Sequence, residues 1–136
     1  MLFLSQSAII QLMRTDRLVW GKVKTSNKRG KLLGFPTANI ALHKNILEGV
    51  YLSQVKIDND TFPALTFIGA AKTFRATKKW VESYILNFNR NIYGKWITVR
   101  LVKKTRGNIK FKSEKELILQ MKRDLSIANK FFNSNH

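Results

Sequence analysis

Apolar and polar positions alternate along most of this chain, and the period changes near its end. Leu18-Val19-Trp20-Gly21-Lys22-Val23 alternates and predicts a strand. Residues Thr37 to Ile40 predict a second, with Thr37 and Asn39 on one face at period two. Gly49 to Ile57 predicts a third, which turns at Asp58-Asn59-Asp60 and returns through Phe62 to Ile68 as a hairpin. Pro63 lacks an N–H and predicts an edge position or a bulge in that return strand. Trp80 to Leu86 and Trp96 to Lys103 predict two more strands, joined by an Asn-rich loop from Asn87 to Gly94. Beyond Ser113 the spacing becomes three and four. Ile118, Met121, Leu125, Ala128 and Phe132 form one apolar stripe, and Ser113 with Glu116 fits a capping box. That stripe predicts a helix packed on a sheet. A shorter helix is predicted from Ser5 or Ser7 to Arg14, through Ile9, Ile10, Leu12 and Met13.

Short strands joined by turns and followed by one helix point to a small antiparallel barrel with the helix against it. The pattern by itself leaves a sandwich open. Residues 18–136 are read as one domain, preceded by a helical extension or linker at 1–17. The 136 residues suffice for one real core, and the 44% apolar share is ordinary.

Composition narrows the chemistry. There is no cysteine, which excludes thiol catalysis, disulfides and Cys-ligated zinc. His43 and His136 alone do not make a histidine-rich metal site. The first ten residues lack the basic leader of a signal peptide, and no apolar run approaches the roughly 20 residues of a membrane span. A cytoplasmic location without membrane association is therefore expected.

The formal net charge is +17, a surface that attracts polyanions. The basic residues are scattered, and lysine outnumbers the arginine that bidentate recognition favours. The charge is read as a bias towards lysine in the coding sequence, with no specific nucleic-acid partner expected. Trp20, Trp80 and Trp96 are expected mostly in the core.

The candidate chemistry gathers around Gly30-Lys31-Leu32-Leu33-Gly34-Phe35-Pro36-Thr37-Ala38-Asn39-Ile40. Two glycines frame a turn, Pro36 makes Phe35 extended, and the strand that follows points a hydroxyl and an amide carbonyl at one spot. Beside a basic loop, that pair can seat a hard cation holding a phosphate chain. No P-loop or protein-kinase motif is present. Of the eight acids, Asp58 and Asp60 sit in a turn, Glu114 and Glu116 open a helix, and Asp124 lies beside the apolar stripe. Asp16 lies in a polar link, and Glu48 precedes a strand. Glu82 alone stands within an apolar strand, on a solvated outer face or at a catalytic site.

Gly-Lys-x-x-Gly-Phe-Pro-Thr-Ala-Asn resembles the signature of the riboflavin kinase family, whose module also forms the C-terminal half of bifunctional bacterial FAD synthetases. The resemblance continues through Gly49-Val50-Tyr51, Ile68-Gly69 with Thr73-Phe74, Val81-Glu82, Tyr93-Gly94 and the segment Arg106 to Asp124. It implies a six-stranded antiparallel Greek-key barrel with a C-terminal helix. It also implies transfer of the γ-phosphate of ATP to the 5′-hydroxyl of riboflavin, giving FMN and ADP.

Position by position, the resemblance makes Glu82 the general base and Thr37 and Asn39 the Mg²⁺ residues. Gly21, Lys22, Gly30, Gly34, Phe35, Pro36, Thr37 and Tyr93 fall to ATP, with residues 21–34 as a flap. Arg106, Phe111 and Asp124 lie towards the flavin. Thr25-Ser26, Lys72 and Tyr84 depart from the family pattern. A monomer is expected. The alternative is a basic barrel that binds RNA or flavin without turnover.

Overall fold

The computed structural model describes residues 5–6, 17–24, 34, 37–70 and 79–134. The N-terminal helix expected through Arg14 lies outside them, apart from Ser5 and Gln6, as do Gly30, Phe35, Pro36, Thr25-Ser26 and Lys72 to Phe74. Six strands form one antiparallel sheet: β1 (Leu18–Lys22), β2 (Ala38–Ala41), β3 (Gly49–Ile57), β4 (Asp60–Ala70), β5 (Lys79–Ile85) and β6 (Trp96–Arg106). One long helix, α1 (Glu114–Ser134), follows. The strand order is β1-β6-β3-β4-β5-β2, and an isolated bridge from Lys24 to Asn39 brings the two ends together. The Lys24 N–H donates to the Asn39 carbonyl at 2.8 Å, so the sheet curls into a nearly closed barrel. Gly21 lets that seam close, since a Cβ there would lie 3.2 Å from the Ile40 Cβ.

Alternation sorts the side chains onto two faces. Inside lie Val19, Ile40, Val55, Ile68, Val81, Ile97, Val99 and Leu101. Three hydroxyls also point inward and satisfy one another. Ser53 Oγ is 2.6 Å from Thr66 Oγ1, which is 2.8 Å from Ser83 Oγ, and Ser53 also donates to the Ala64 carbonyl. Tyr51 donates its phenol to the Leu47 carbonyl, and burial raises its pKa against the opposing pull of Arg17.

On the outer face of β3, β4 and β5, Val50, Leu52 and Leu65 meet Leu125, Ala128, Phe131 and Phe132 of the helix. Ala128 is fully buried, and its small side chain allows close approach. The stripe thus packs on the sheet as its spacing predicts. Ser113 caps the helix by accepting from the Glu116 N–H at 3.2 Å, while Glu116 reaches back to the Lys112 N–H at 3.1 Å.

The structure decides between the alternatives for Pro63 and corrects one expectation. Pro63 makes no bulge: it pairs in register with Gln54 inside β4. Its carbonyl accepts from Leu86 N–H at 3.0 Å, and the reciprocal bond that its missing N–H cannot make falls just past the end of β5, where the ladder is closing anyway. Nor do the tryptophans mostly fill the core. Trp20 is 56% exposed, Trp96 is 67% exposed, and Trp80 is half-buried. Each sits on the outward phase of its strand.

Candidate active site

The strand registers place the candidate residues in one line. Asn39 on β2 pairs with Glu82 on β5, and Glu82 with Phe67 on β4. Phe67 pairs with Val50 on β3, and Val50 with Arg106 on β6. All five belong to the outer face. At about 4.8 Å per strand the row spans roughly 19 Å.

At one end, Thr37 and Asn39 are buried beside each other, and Thr37 Oγ1 donates to Asn39 Oδ1 at 3.4 Å. Two oxygens bound side by side on an octahedral Mg²⁺, with bonds of about 2.1 Å, stand about 3.0 Å apart. The pair therefore fits such an ion after a small adjustment. Among the described residues no three acidic, histidine or cysteine side chains cluster as metal ligands. A cation at this pair would draw its counter-charge from a bound phosphate chain. Glu82 is half-buried and directly across the strand pair from Asn39, where opposed Cβ atoms stand about 4.5–5.5 Å apart.

At the other end, Arg106 and Asp124 form a bidentate ion pair. Nε donates to Oδ1 at 2.9 Å and Nη2 to Oδ2 at 2.7 Å, while Gln120 Nε2 also donates to Oδ1 at 3.0 Å. Asp124 is 1% exposed, so this contact ties the helix to the end of β6. Two features of the chain bring Arg106 there. Register shifts between Leu52 and Ser53 and between Val50 and Tyr51 insert Val102 and Thr105 as extra residues. In an unbroken ladder Val50 would face Lys104; with the shifts it faces Arg106. Thr105 fills the second irregularity by donating to the Val50 carbonyl at 3.1 Å. Gly49 accommodates the result, because a Cβ there would lie 2.6 Å from the Arg106 carbonyl oxygen.

The remaining candidates lie along the rim. Gly21 has a packing role at the barrel seam. Lys22 is exposed and pairs with Trp96. Tyr93 is exposed in a turn whose Gly94 N–H donates to the Val23 carbonyl at 2.9 Å, which sets it beside the end of β1. Gly34 is exposed in a turn, and Phe111 is half-buried between β6 and α1. Sequence reasoning missed Phe67, the half-buried ring beside Glu82. No motif marks it; only the pairing of β4 with β5 does.

The family model for riboflavin kinase matches residues 14–132. The chain belongs to the riboflavin kinase family. Over 119 residues it is 35% identical to the bifunctional riboflavin kinase/FMN adenylyltransferase of Haemophilus influenzae, covering 85% of this chain and 39% of that relative. The chain thus corresponds to less than half of the relative's length. Among solved structures, the macrolide-efflux protein from Streptococcus pneumoniae superposes with a TM-score of 0.73 at 31% identity, over 82% of this chain and 38% of that one. The riboflavin kinase from Trypanosoma brucei shares the fold with a TM-score of 0.60 at 24% identity, over 87% of this chain and 80% of that one.

Proposed function

We propose that this chain transfers the γ-phosphoryl group of ATP to the 5′-hydroxyl of riboflavin, giving FMN and ADP. The observation that carries the reading is the register of Asn39 against Glu82, with Thr37 hydrogen-bonded to Asn39. In this reading Glu82 is the proton acceptor and the Thr37–Asn39 pair beside it the seat for a phosphate-bound cation. Phosphoryl transfer needs little else beyond positioning.

Glu82 accepts the riboflavin hydroxyl proton as the new O–P bond forms and the bond from Pγ to the bridging oxygen breaks. The electron pair leaves with ADP. Thr37 Oγ1 and Asn39 Oδ1 are the atoms that would hold Mg²⁺, which supplies charge neutralisation on the phosphates when bound. Lys22, with Tyr93 near the end of β1, is assigned to the nucleotide. Phe67, next in the row, offers an apolar surface to the flavin, and Arg106 marks its far end. Asp124 acts through Arg106: its two oxygens already face Arg106 and Gln120.

We assign the enzyme to the cytoplasm, where ATP and riboflavin meet, and to a monomer, since one barrel carries the whole row. Among the described residues no helix is long and apolar enough to cross a membrane. The deciding experiment incubates the chain with riboflavin and MgATP and separates the flavins. FMN without FAD is expected, because the family match is to the kinase module. Folded protein that yields no FMN refutes the reading.

A further inference from the structure

Acidic residues are distributed unevenly over the barrel. The strands β1, β6 and β3, which lie side by side, contain none, and Asp58 in the turn after β3, beside Trp96, is ion-paired with Lys95 at 3.1 Å; β4 carries Asp60 and β5 carries Glu82. On the outer face of β1 and β6, register sets Trp20 against Thr98, Lys22 against Trp96 and Leu18 against Arg100. Lys56 and Gln54 of β3 continue the same rows through Thr98 and Arg100. Trp20 and Trp96 are therefore diagonal neighbours, about 7–8 Å apart at Cα. Both indoles are mostly exposed, and Lys44 Nζ stands 4.9 Å from the Trp20 ring centroid. Burying hydrophobic surface does not explain two large rings held outward among cations.

We propose that this face is a platform for single-stranded nucleic acid, with bases stacking on Trp20 and Trp96 and phosphates meeting Lys44, Lys56 and Arg100. Every base has a π-face, so such a platform binds without sequence preference. The +17 charge supplies the long-range attraction. An anionic membrane fits less well, because Thr98, Gln54 and Lys56 surround the indoles and leave no continuous apolar patch to insert. The platform is separate from the Arg106 end of the candidate row: Trp96 opens β6 and Arg106 closes it, roughly 30 Å along the strand. It borders Lys22, so competition with ATP is part of the test.

The full chain is titrated into a fluorescein-labelled oligo(dT) of about 15 nucleotides, following anisotropy and indole emission. Binding should quench indole emission and fall with salt at a log–log slope near −2, as expected for about three phosphate contacts. Trp96→Ala and Trp20→Ala should each weaken binding about tenfold, and Trp96→Phe should recover most of the loss. Arg100→Glu should weaken it and flatten the slope. FMN formation and thermal midpoint should be unchanged in the two tryptophan variants.

Unchanged affinity in both alanine variants would reduce the effect to bulk charge and overturn the proposal. Equal affinity for polyphosphate of matched charge would do the same. Complete displacement by saturating MgATP would assign the platform to the nucleotide site instead. Trp96-dependent binding to anionic vesicles, with none to the oligonucleotide, would make it a membrane surface. Trp96-dependent dimers in sedimentation velocity, again without oligonucleotide binding, would make it a contact between copies.

Discussion

Glu82 and Asp124 both stand on the helix-covered side of the barrel, and their surroundings are opposite. Asp124 is sealed, with three N–H donors on its two oxygens and 1% of its surface exposed. Glu82 is half-buried in mid-strand, with an amide on one side and an aromatic ring on the other. A carboxylate whose oxygens already meet a guanidinium and an amide cannot receive a substrate hydroxyl without breaking those contacts. Glu82 is only half-buried and stands across the strand pair from Asn39, which is why we propose it and not Asp124 as the base. The contrast teaches that burial and ion pairing separate an acid that holds the fold together from one that solvent and substrate can reach.

Breaking the sealed side should give the largest effect. Asp124→Ala leaves Arg106 partly buried without its counter-charge, and removing one partner of a buried pair costs about 3–5 kcal/mol. Arg106 retains some exposure, so the lower end, about 3 kcal/mol, is expected. Urea unfolding monitored by circular dichroism measures it. A loss below about 1 kcal/mol, the scale of an exposed pair, would mean that the contact does not hold the helix to β6.

Glu82→Gln tests the open side. It keeps the shape and cannot take a proton at neutral pH. General-base help is worth about 10²–10⁴-fold, so kcat should fall by roughly 10²-fold or more, equivalent to about 2.7 kcal/mol. Riboflavin and ATP binding should stay near wild type, and stability should change by less than about 0.5 kcal/mol. Single-turnover FMN formation beside ligand titrations separates chemistry from binding. Wild-type turnover would sink the assignment of the base. The contrast with Asp124 is then complete: one acid costs stability when changed, the other costs rate.

Much of this was legible in the chain. Alternation located the six strands, and the change of period located the helix with its cap. The pairing of Thr37 with Asn39 followed from period two alone. What the chain could not reveal depends on which strands become neighbours. Glu82 faces Asn39 because β5 and β2 pair across more than forty residues of sequence. Phe67 joins the row for the same non-local reason. Arg106 needs two inserted residues in β6, and nothing in Leu101 to Thr105 announces them. The tryptophans misled because apolar alternation gives a strand's two faces but not which one is inside. Trp20 and Trp96 take the outward phase, opposite Val19 and Ile97.

The proposed cation seat sharpens the comparison at intermediate scale. Thr37→Val keeps the shape and removes the hydroxyl, and Asn39→Leu removes the carbonyl. A polar contact to a charged group is worth about 1.5–3 kcal/mol, so Mg²⁺-dependent ATP binding should weaken at least about tenfold in each variant. Binding without Mg²⁺ should change little. Titration calorimetry with and without the ion checks this. Equal losses in both conditions would show that the residue shapes the nucleotide site without touching the metal.

The smallest expected effect lies in the helix start, because the sealed side also depends on α1 beginning where it does. Ser113 satisfies the Glu116 N–H, and Glu116 returns to the Lys112 N–H. Ser113→Ala removes the first bond and leaves the second, and a lost N-cap costs about 1 kcal/mol. The first turn is solvent-exposed, so water takes up part of the loss. Asp124 lies more than two turns further along and should keep its hold on Arg106. Ser113→Ala should therefore lower stability by about 1 kcal/mol with FMN formation unchanged. Ser113→Asp should recover the loss, since its carboxylate caps as well and suits the helix dipole. Parallel urea melts and rate measurements on the two variants decide it. A fall in rate that tracks the loss of stability would mean that fraying reaches the Arg106–Asp124 contact, and that the two carboxylates are coupled through the helix.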